Sequence, residues 1–291
     1  MDLSAHALRL AAVDVTIGRR FNGPPGSGNG GYVCGLVAGA LGGGLGDDPV
    51  QVSLRQPPPV DRALRLEVTG GNQGNGDDTG ATTGAGDDRR AQLLDGDDVV
   101  ADAVPHTLAG AAPLPDAVGY EQAEKLVAAF DDDDYVGNHP FPTCFACGPD
   151  RTEGDGLRLF PGAVAPGLVA WPWRPDPSLV TGVGDGGDAD VVAPEFVWAA
   201  LDCPSGLCWF HERRPPVGPH VLGRMTAAIH RLPTVDEPLV AAGWLVEVAG
   251  RKRLTGSVVW DATGDVVAEN RAVWIGLAPD QLGQFGTAPG T

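Results

Sequence analysis

Pro194-Glu195-Phe196-Val197-Trp198-Ala199-Ala200-Leu201-Asp202-Cys203-Pro204 is the stretch around which the chain reads. It predicts a helix that opens on Pro and Glu and closes just before Pro204. Proline at a first helical position gives up an N–H that has no partner in any case. Glu195 in the first turn meets the positive end of the helix dipole. Phe196, Val197, Ala199, Ala200 and Leu201 leave almost no polar face, so the helix should be buried. Asp202 breaks this pattern. Near the C-terminal end of an apolar helix a carboxylate meets the negative end of the dipole and little water, and both effects should raise its pKa. A polar residue that breaks local rules marks a candidate functional position. The structural alternative is an Asp that caps a neighbouring backbone or pairs with an Arg.

Upstream, the alternating β-branched run Val13–Ile17 predicts a strand. Gly23-Pro24-Pro25-Gly26-Ser27-Gly28-Asn29-Gly30 has the look of a phosphate-binding loop, but Asn29 and Gly30 stand where that loop needs Lys and Ser/Thr. What remains is a glycine-rich turn that opens a helix, Tyr32 to about Leu41, with backbone N–H groups free for an anion or a carbonyl oxygen. Strands are expected at Val50–Arg55 and Leu64–Val68, and a strand pair from Ala91 to about Val104 with Asp95-Gly96 as its turn. Residues 69–90 are low in complexity and rich in Gly and Asp, so a disordered insertion is expected there. A short helix, Tyr120–Phe130, and the acidic run Asp131–Asp134 read as part of a linker.

The second half repeats the first. Pro58-Pro59-Val60-Asp61-Arg62-Ala63-Leu64 corresponds to Pro233-Thr234-Val235-Asp236-Glu237-Pro238-Leu239, and Asp98-Val99-Val100-Ala101-Asp102 to Asp265-Val266-Val267-Ala268-Glu269. Val60 and Val99 are 39 residues apart and Val235 and Val266 are 31 apart; the excess falls on the low-complexity loop. Each half reads as a strand, a helix and an antiparallel meander, an α+β unit. Such a half-sheet exposes an apolar face and an edge, and pairing of the two halves covers them. The expected division is residues 1–112, 113–150 as linker, 151–279, and a tail at 280–291.

Composition bounds the partners. Lys and Arg number 20 against 38 Asp and Glu, a net charge of -18, which repels nucleic acid and anionic membranes. No run is long and apolar enough to span a bilayer. The N-terminus lacks the charged-then-apolar layout of a signal peptide. Five cysteines, an odd number at low density, fit reduced thiols in a cytoplasm.

Three sets of residues resemble one superfamily. Cys144-Phe145-Ala146-Cys147-Gly148-Pro149-Asp150, with Gly156-Leu157-Arg158-Leu159 after it, is similar to the opening segment of many single-domain hotdog thioesterases. Leu201-Asp202 with Cys208-Trp209-Phe210-His211 and Arg213/Arg214-Pro215 resembles the second half of the acyl-CoA thioesterase II group. Asn29-Gly30-Gly31-Tyr32 resembles the Gly-Gly opening of the hotdog helix. The resemblance implies a double hotdog: two antiparallel sheets, each wrapping one central helix, related by a pseudo-two-fold axis. It implies hydrolysis of acyl-CoA or another acyl-thioester, although other members of the superfamily are dehydratases or binders. The Asp/His signature of the hydratase branch is absent. A non-catalytic acyl-CoA or lipid-binding hotdog is the alternative, and edge-to-edge pairing of two chains stays open.

In the family a Gly-Gly pair opens the helix and an acid follows about two turns on. The first helix keeps Gly30 and Gly31 but has Ala38 in place of the acid; the second keeps Asp202 but has Pro194 and Glu195 in place of the glycines. Combining the halves gives one complete site per chain. Asp202 is then the base or the nucleophile, the Gly31 and Tyr32 N–H groups meet the oxyanion, and Asn29 orients the water or the carbonyl. Arg251-Lys252-Arg253, a basic knot in an acidic chain, is the candidate for the CoA phosphates.

Other candidates weigh less. Cys144 and Cys147 form a CxxC, with Cys203 and Cys208 further on, and four thiolates hold structural zinc in many proteins. The second pair has four residues between and lies in or beside a buried helix, so neither a metal nor a cofactor is expected. Cys34 reads as core. His139, His211, His220 and His230 show no carboxylate or serine partner, and His211 is expected on a strand. A lipase-type Ser elbow is absent.

Overall fold

The computed structural model describes residues 9–46, 48–70, 88–128, 135–137, 139–180, 190–209, 218–278 and 281. The strands are β1 (Arg9–Thr16), β2 (Val50–Leu54), β3 (Ala63–Thr69), β4 (Arg90–Asp95), β5 (Asp98–Pro105), β6 (Gly162–Ala165), β7 (Leu168–Trp173), β8 (His220–Ile229), β9 (Leu239–Ala249), β10 (Lys252–Asp261) and β11 (Val266–Gly276). The helices are α1 (Gly30–Gly39), α2 (Tyr120–Ala128) and α3 (Pro194–Leu207). Most of the 69–90 insertion, the acidic run Asp131–Asp134, and Phe210, His211, Arg213, Arg214 and Pro215 lie outside the described residues.

The eleven strands form one sheet, in the order β1-β3-β4-β5-β2-β8-β11-β10-β9-β7-β6. This corrects the expectation of two sheets. β2 and β8, the inner edges of the two halves, pair antiparallel from Val50↔Ala227 to Ser53↔Arg224, and Arg224 Nε donates to Ser53 Oγ at 3.2 Å across the seam. Direct pairing satisfies two rows of backbone groups that two separate sheets would leave as edges.

Outward from the seam β2-β5-β4-β3-β1 is matched by β8-β11-β10-β9-β7, with β6 as an extra edge strand on the second side, and the match extends to single hydrogen bonds. Gly28 N–H donates to Pro58 O at 2.7 Å and Val192 N–H to Pro233 O at 2.9 Å. Arg55 N–H donates to Val100 O and His230 N–H to Val267 O, both at 2.8 Å. Asp61 (φ 56°) and Asp236 (φ 59°) hold the same left-handed corner in their two bends; Asp tolerates that conformation better than most residues with a side chain.

α1 and α3 pack on each other and on the same face of the sheet. Their backbones approach closely at two glycines: a Cβ on Gly31 would lie 2.5 Å from Asp202 Cβ and 2.6 Å from Trp198 O, and one on Gly35 would lie 2.5 Å from Glu195 Cα. The core fills around this contact with Val33, Val37, Val197, Trp198 and Leu201, all fully buried. The Trp198 indole N–H donates to Gly43 O at 2.9 Å, so even the largest of these satisfies its one polar group. α2 covers the opposite face of the C-terminal half, where Ala123 joins Val240, Val258 and Trp260. β9 and β10 are thus buried on both faces over much of their length and read as apolar runs instead of alternating.

α3 does not stop at Pro204 as expected but continues to Leu207. A proline there removes one N–H from the ladder and loosens the carbonyls before it. The sheet holds the helix just before it: Leu201 O accepts from Ser257 Oγ at 2.5 Å on β10 and from Asn270 Nδ2 at 3.0 Å on β11.

A candidate active site between the helices

Asn29 is the N-cap of α1. Its Oδ1 accepts from Tyr32 N–H at 2.9 Å, and this fixes the amide so that Nδ2 points away from α1. Nδ2 donates to Asp202 Oδ2 at 2.9 Å. Gly31 N–H donates to the same oxygen, also at 2.9 Å, which is possible because glycine lets α3 come this close. The carboxylate of one half therefore sits on the helix N-terminus of the other, where the positive dipole end favours it.

Asp202 is 2 % exposed. Burial raises its pKa from the ordinary 3.8 to about 7, against the opposing pull of the Gly31 and Asn29 hydrogen bonds. The cause differs in part from the expected one. With α3 reaching Leu207, Asp202 lies within the helix and not at its end, so desolvation and not the dipole of its own helix moves it. Its second oxygen, Oδ1, has no hydrogen-bond partner among the described residues.

Asp202 lines a cavity of about 770 Å³, together with Asn29, Gly30, Leu222 and Trp274. Gly31 and Tyr32, placed at this site from the sequence, do not line it. Their N–H groups are already engaged, Gly31 by Asp202 and Tyr32 by Asn29. The Tyr32 ring stacks on Phe21, 4.2 Å between centroids, and burial lifts its hydroxyl to about 12. The backbone amide left at the cavity wall is that of Gly30, the first residue of α1, whose N–H has no partner among the described residues.

Arg251, Lys252 and Arg253 lie in and after the β9–β10 turn, and none lines the cavity. Arg251 reaches it indirectly: its Nη1 donates to Gln281 Oε1 at 3.1 Å, and Gln281 is a lining residue.

Two histidines that the sequence left unassigned also face the cavity, His139 and His220. His220 keeps Nδ1 against Gly218 O at 2.8 Å, and burial lowers its pKa, which favours the neutral ring. His230, expected to lack a carboxylate partner, has Glu269 at 3.6 Å. Nothing in the linear sequence marks these placements: His220 and His230 are set by the pairing of β8 with β11, and His139 by the turn that carries Cys147.

The thiols divide. Cys144, Cys147 and Cys203 come together with their sulfurs within 4.8 Å of one another. Cys208 is not among them; its Sγ–H donates to Ser205 O at 3.3 Å. Cys34 is buried in α1 as core. The turn that carries Cys144 and Cys147 lies in the stretch read as linker and packs into the core, with Phe145 5.1 Å from Phe21.

No protein-family model matches the sequence, and neither does any curated protein. Solved structures do match. A tesB protein from Mycobacterium avium subspecies paratuberculosis is 14% identical, with a TM-score of 0.56 over 93% of this chain and 95% of its own. A putative thioesterase II from Thermobifida fusca is 14% identical, with a TM-score of 0.56 over 93% and 94%. A hotdog-fold protein of unknown function from Alicyclobacillus acidocaldarius is 13% identical, with a TM-score of 0.51 over 93% and 94%. The likeness runs nearly end to end in both members of each pair.

Proposed function

We propose that this chain, which has the tandem hotdog fold, is an acyl-thioester hydrolase acting on acyl-CoA at one composite site between its two halves. The observation that carries the reading is the Asp202 carboxylate held by Asn29 and Gly31 at the wall of the cavity, with Oδ1 unpartnered. One half supplies the acid and the other the amides. The names of the structural neighbours point to the same chemistry. The mirrored strand order and the matched bends support a pseudo-two-fold relation between halves at about 1–112 and 151–279, with 113–150 between them.

In this mechanism Asp202 is the general base. Oδ2 is pinned and Oδ1 takes a proton from water as the water oxygen attacks the thioester carbonyl; the C–S bond then breaks and the thiolate leaves. A base with a pKa of about 7 is matched to this task near neutral pH. The Gly30 N–H, at the head of α1, meets the developing oxyanion, a contact typically worth roughly 3–4 kcal/mol. The acyl chain lies along the apolar wall of Leu222 and Trp274. The Arg251-Lys252-Arg253 turn faces the phosphate end of CoA, with Gln281 between it and the cavity.

The test is release of free thiol from a panel of acyl-CoAs. Asp202→Asn should lose turnover by about a thousandfold, with the fold intact by circular dichroism. Hydrolysis unchanged in that variant refutes the role. A wild-type chain that binds acyl-CoA and never turns it over refutes the enzyme and leaves the binding protein.

A further inference from the structure

We propose that Cys144, Cys147 and Cys203 bind one divalent soft-metal ion, zinc(II), as thiolates, with a fourth coordination position facing the cavity. This goes beyond the hydrolase reading and does not depend on it.

The distances fit. Zinc at about 2.3 Å from each sulfur in a tetrahedron requires sulfurs about 3.8 Å apart. Cys144 Sγ and Cys203 Sγ are 3.8 Å apart, and all three sulfurs lie within 4.8 Å of one another. Two of them sit on one tight turn, closed by Gly148 N–H to Cys144 O at 2.8 Å. Only glycine fits after that turn: a Cβ on Gly148 would lie 2.4 Å from Pro142 O and 2.5 Å from Cys144 N. The third sulfur comes from α3, one residue after Asp202.

Three buried cysteines in contact also arise from plain packing, since the thiol behaves as a small apolar group. What sets this cluster apart is the donors aimed at it. Asn29 Nδ2, besides holding Asp202, lies 3.7 Å from Cys144 Sγ. His139 Nε2 lies 3.4 Å from Cys147 Sγ. Its Nδ1 accepts from Phe141 N–H at 3.1 Å, which leaves the ring proton on Nε2, pointing at sulfur. Donors gathered on sulfur suit thiolates, and they are the outer partners that metal-bound thiolates use. They also make His139 a donor to a ligand and not itself a ligand. Three protein ligands with an open position is the arrangement of a zinc site that admits water or an exogenous group. All three cysteines line the cavity wall that Asp202 shares, so the group admitted comes from the cavity.

The experiment uses the full chain, purified under reducing conditions, reconstituted with zinc and desalted. Elemental analysis should find about one zinc per chain. Replacement by cobalt(II) should give thiolate-to-cobalt charge transfer in the near ultraviolet and strong visible bands of a tetrahedral ion. Adding 2-mercaptoethanol should alter the visible bands through the open position. Cys147→Ser should weaken zinc retention by at least about tenfold. Cys208→Ser, outside the cluster, should leave it unchanged. A wild-type chain without zinc after reconstitution and without charge transfer overturns the proposal, and so does a Cys144–Cys203 disulfide found by mass spectrometry in the reduced preparation. A cobalt spectrum indifferent to added thiol overturns the open position. None of these readouts needs thioester turnover, so failure of the metal site and failure of the hydrolase assignment remain distinct.

Discussion

Replacing Asp202 by Asn should stabilise the protein at alkaline pH while abolishing its activity. Burial raises the Asp202 pKa from 3.8 to about 7. The protonated form is thus favoured in the folded chain. Its contribution to stability is complete below the unfolded value and is lost as pH rises through about 7. By linkage, holding the ionised carboxylate at pH 8.5 costs about 4 kcal/mol relative to acid conditions. Asn carries no charge to desolvate. Its amide oxygen can accept from Asn29 Nδ2 and Gly31 N–H as Oδ2 does, and its NH₂ takes the place of the unpartnered Oδ1. Allowing about 1 kcal/mol for an imperfect hydrogen bond, the gain at pH 8.5 is about 3 kcal/mol, or roughly 5 °C in Tm for a chain of this length. At pH 5 the two chains should agree within about 1 kcal/mol. The assay is thermal or urea unfolding of both chains across pH 5 to 8.5. A stability difference independent of pH, or a variant less stable at pH 8.5, would refute the reasoning.

Asn29→Ala removes both the cap of α1 and a hydrogen bond that favours the Asp202 carboxylate. It should cost about 1–2 kcal/mol in urea unfolding and move the inflection of the pH–rate profile to higher pH. Gly31→Ala forces a Cβ to within 2.5 Å of Asp202 Cβ; it should destabilise by about 1–3 kcal/mol and lower thiol release even where the chain folds. Reversing charge at Arg251, Lys252 and Arg253 together should raise KM for acyl-CoA and leave kcat and the KM for a short acyl-thioester without phosphates nearly unchanged.

The halves could be read from the sequence because the repeat sits in bends with strong local constraints. Val60-Asp61 and Val235-Asp236 each need a residue that tolerates the left-handed corner, and that need leaves a mark in the linear order. The junction of the sheet leaves none. Pairing of Val52 with Met225 is a choice between distant strands, and either strand alone reads like any other apolar run. The end of α3 is hidden in the sequence for a related reason. Proline normally stops a helix, and here α3 runs on past it, tied to the sheet just before it where side chains from β10 and β11 bond Leu201 O. At the candidate site Asp202 and Asn29 stood out as polar residues in apolar or glycine-rich surroundings. The division of amides did not, because which N–H faces the cavity is settled by how Asn29 turns its side chain. The CxxC was visible too, but its third member is fixed only when α3 docks against the 141–148 turn. The sequence offers Cys203 and Cys208 together as a second pair, and the fold brings Cys203 alone to the CxxC.

The carboxylate and the amide that grips it lie 171 residues apart along the chain. Nothing short of the finished tertiary structure brings them together, so no fragment, nascent chain or half-assembled intermediate can possess this constellation. Contacts of such long range form slowly, after the local hairpins are in place. Competence at this site therefore waits on the docking of α3 against α1.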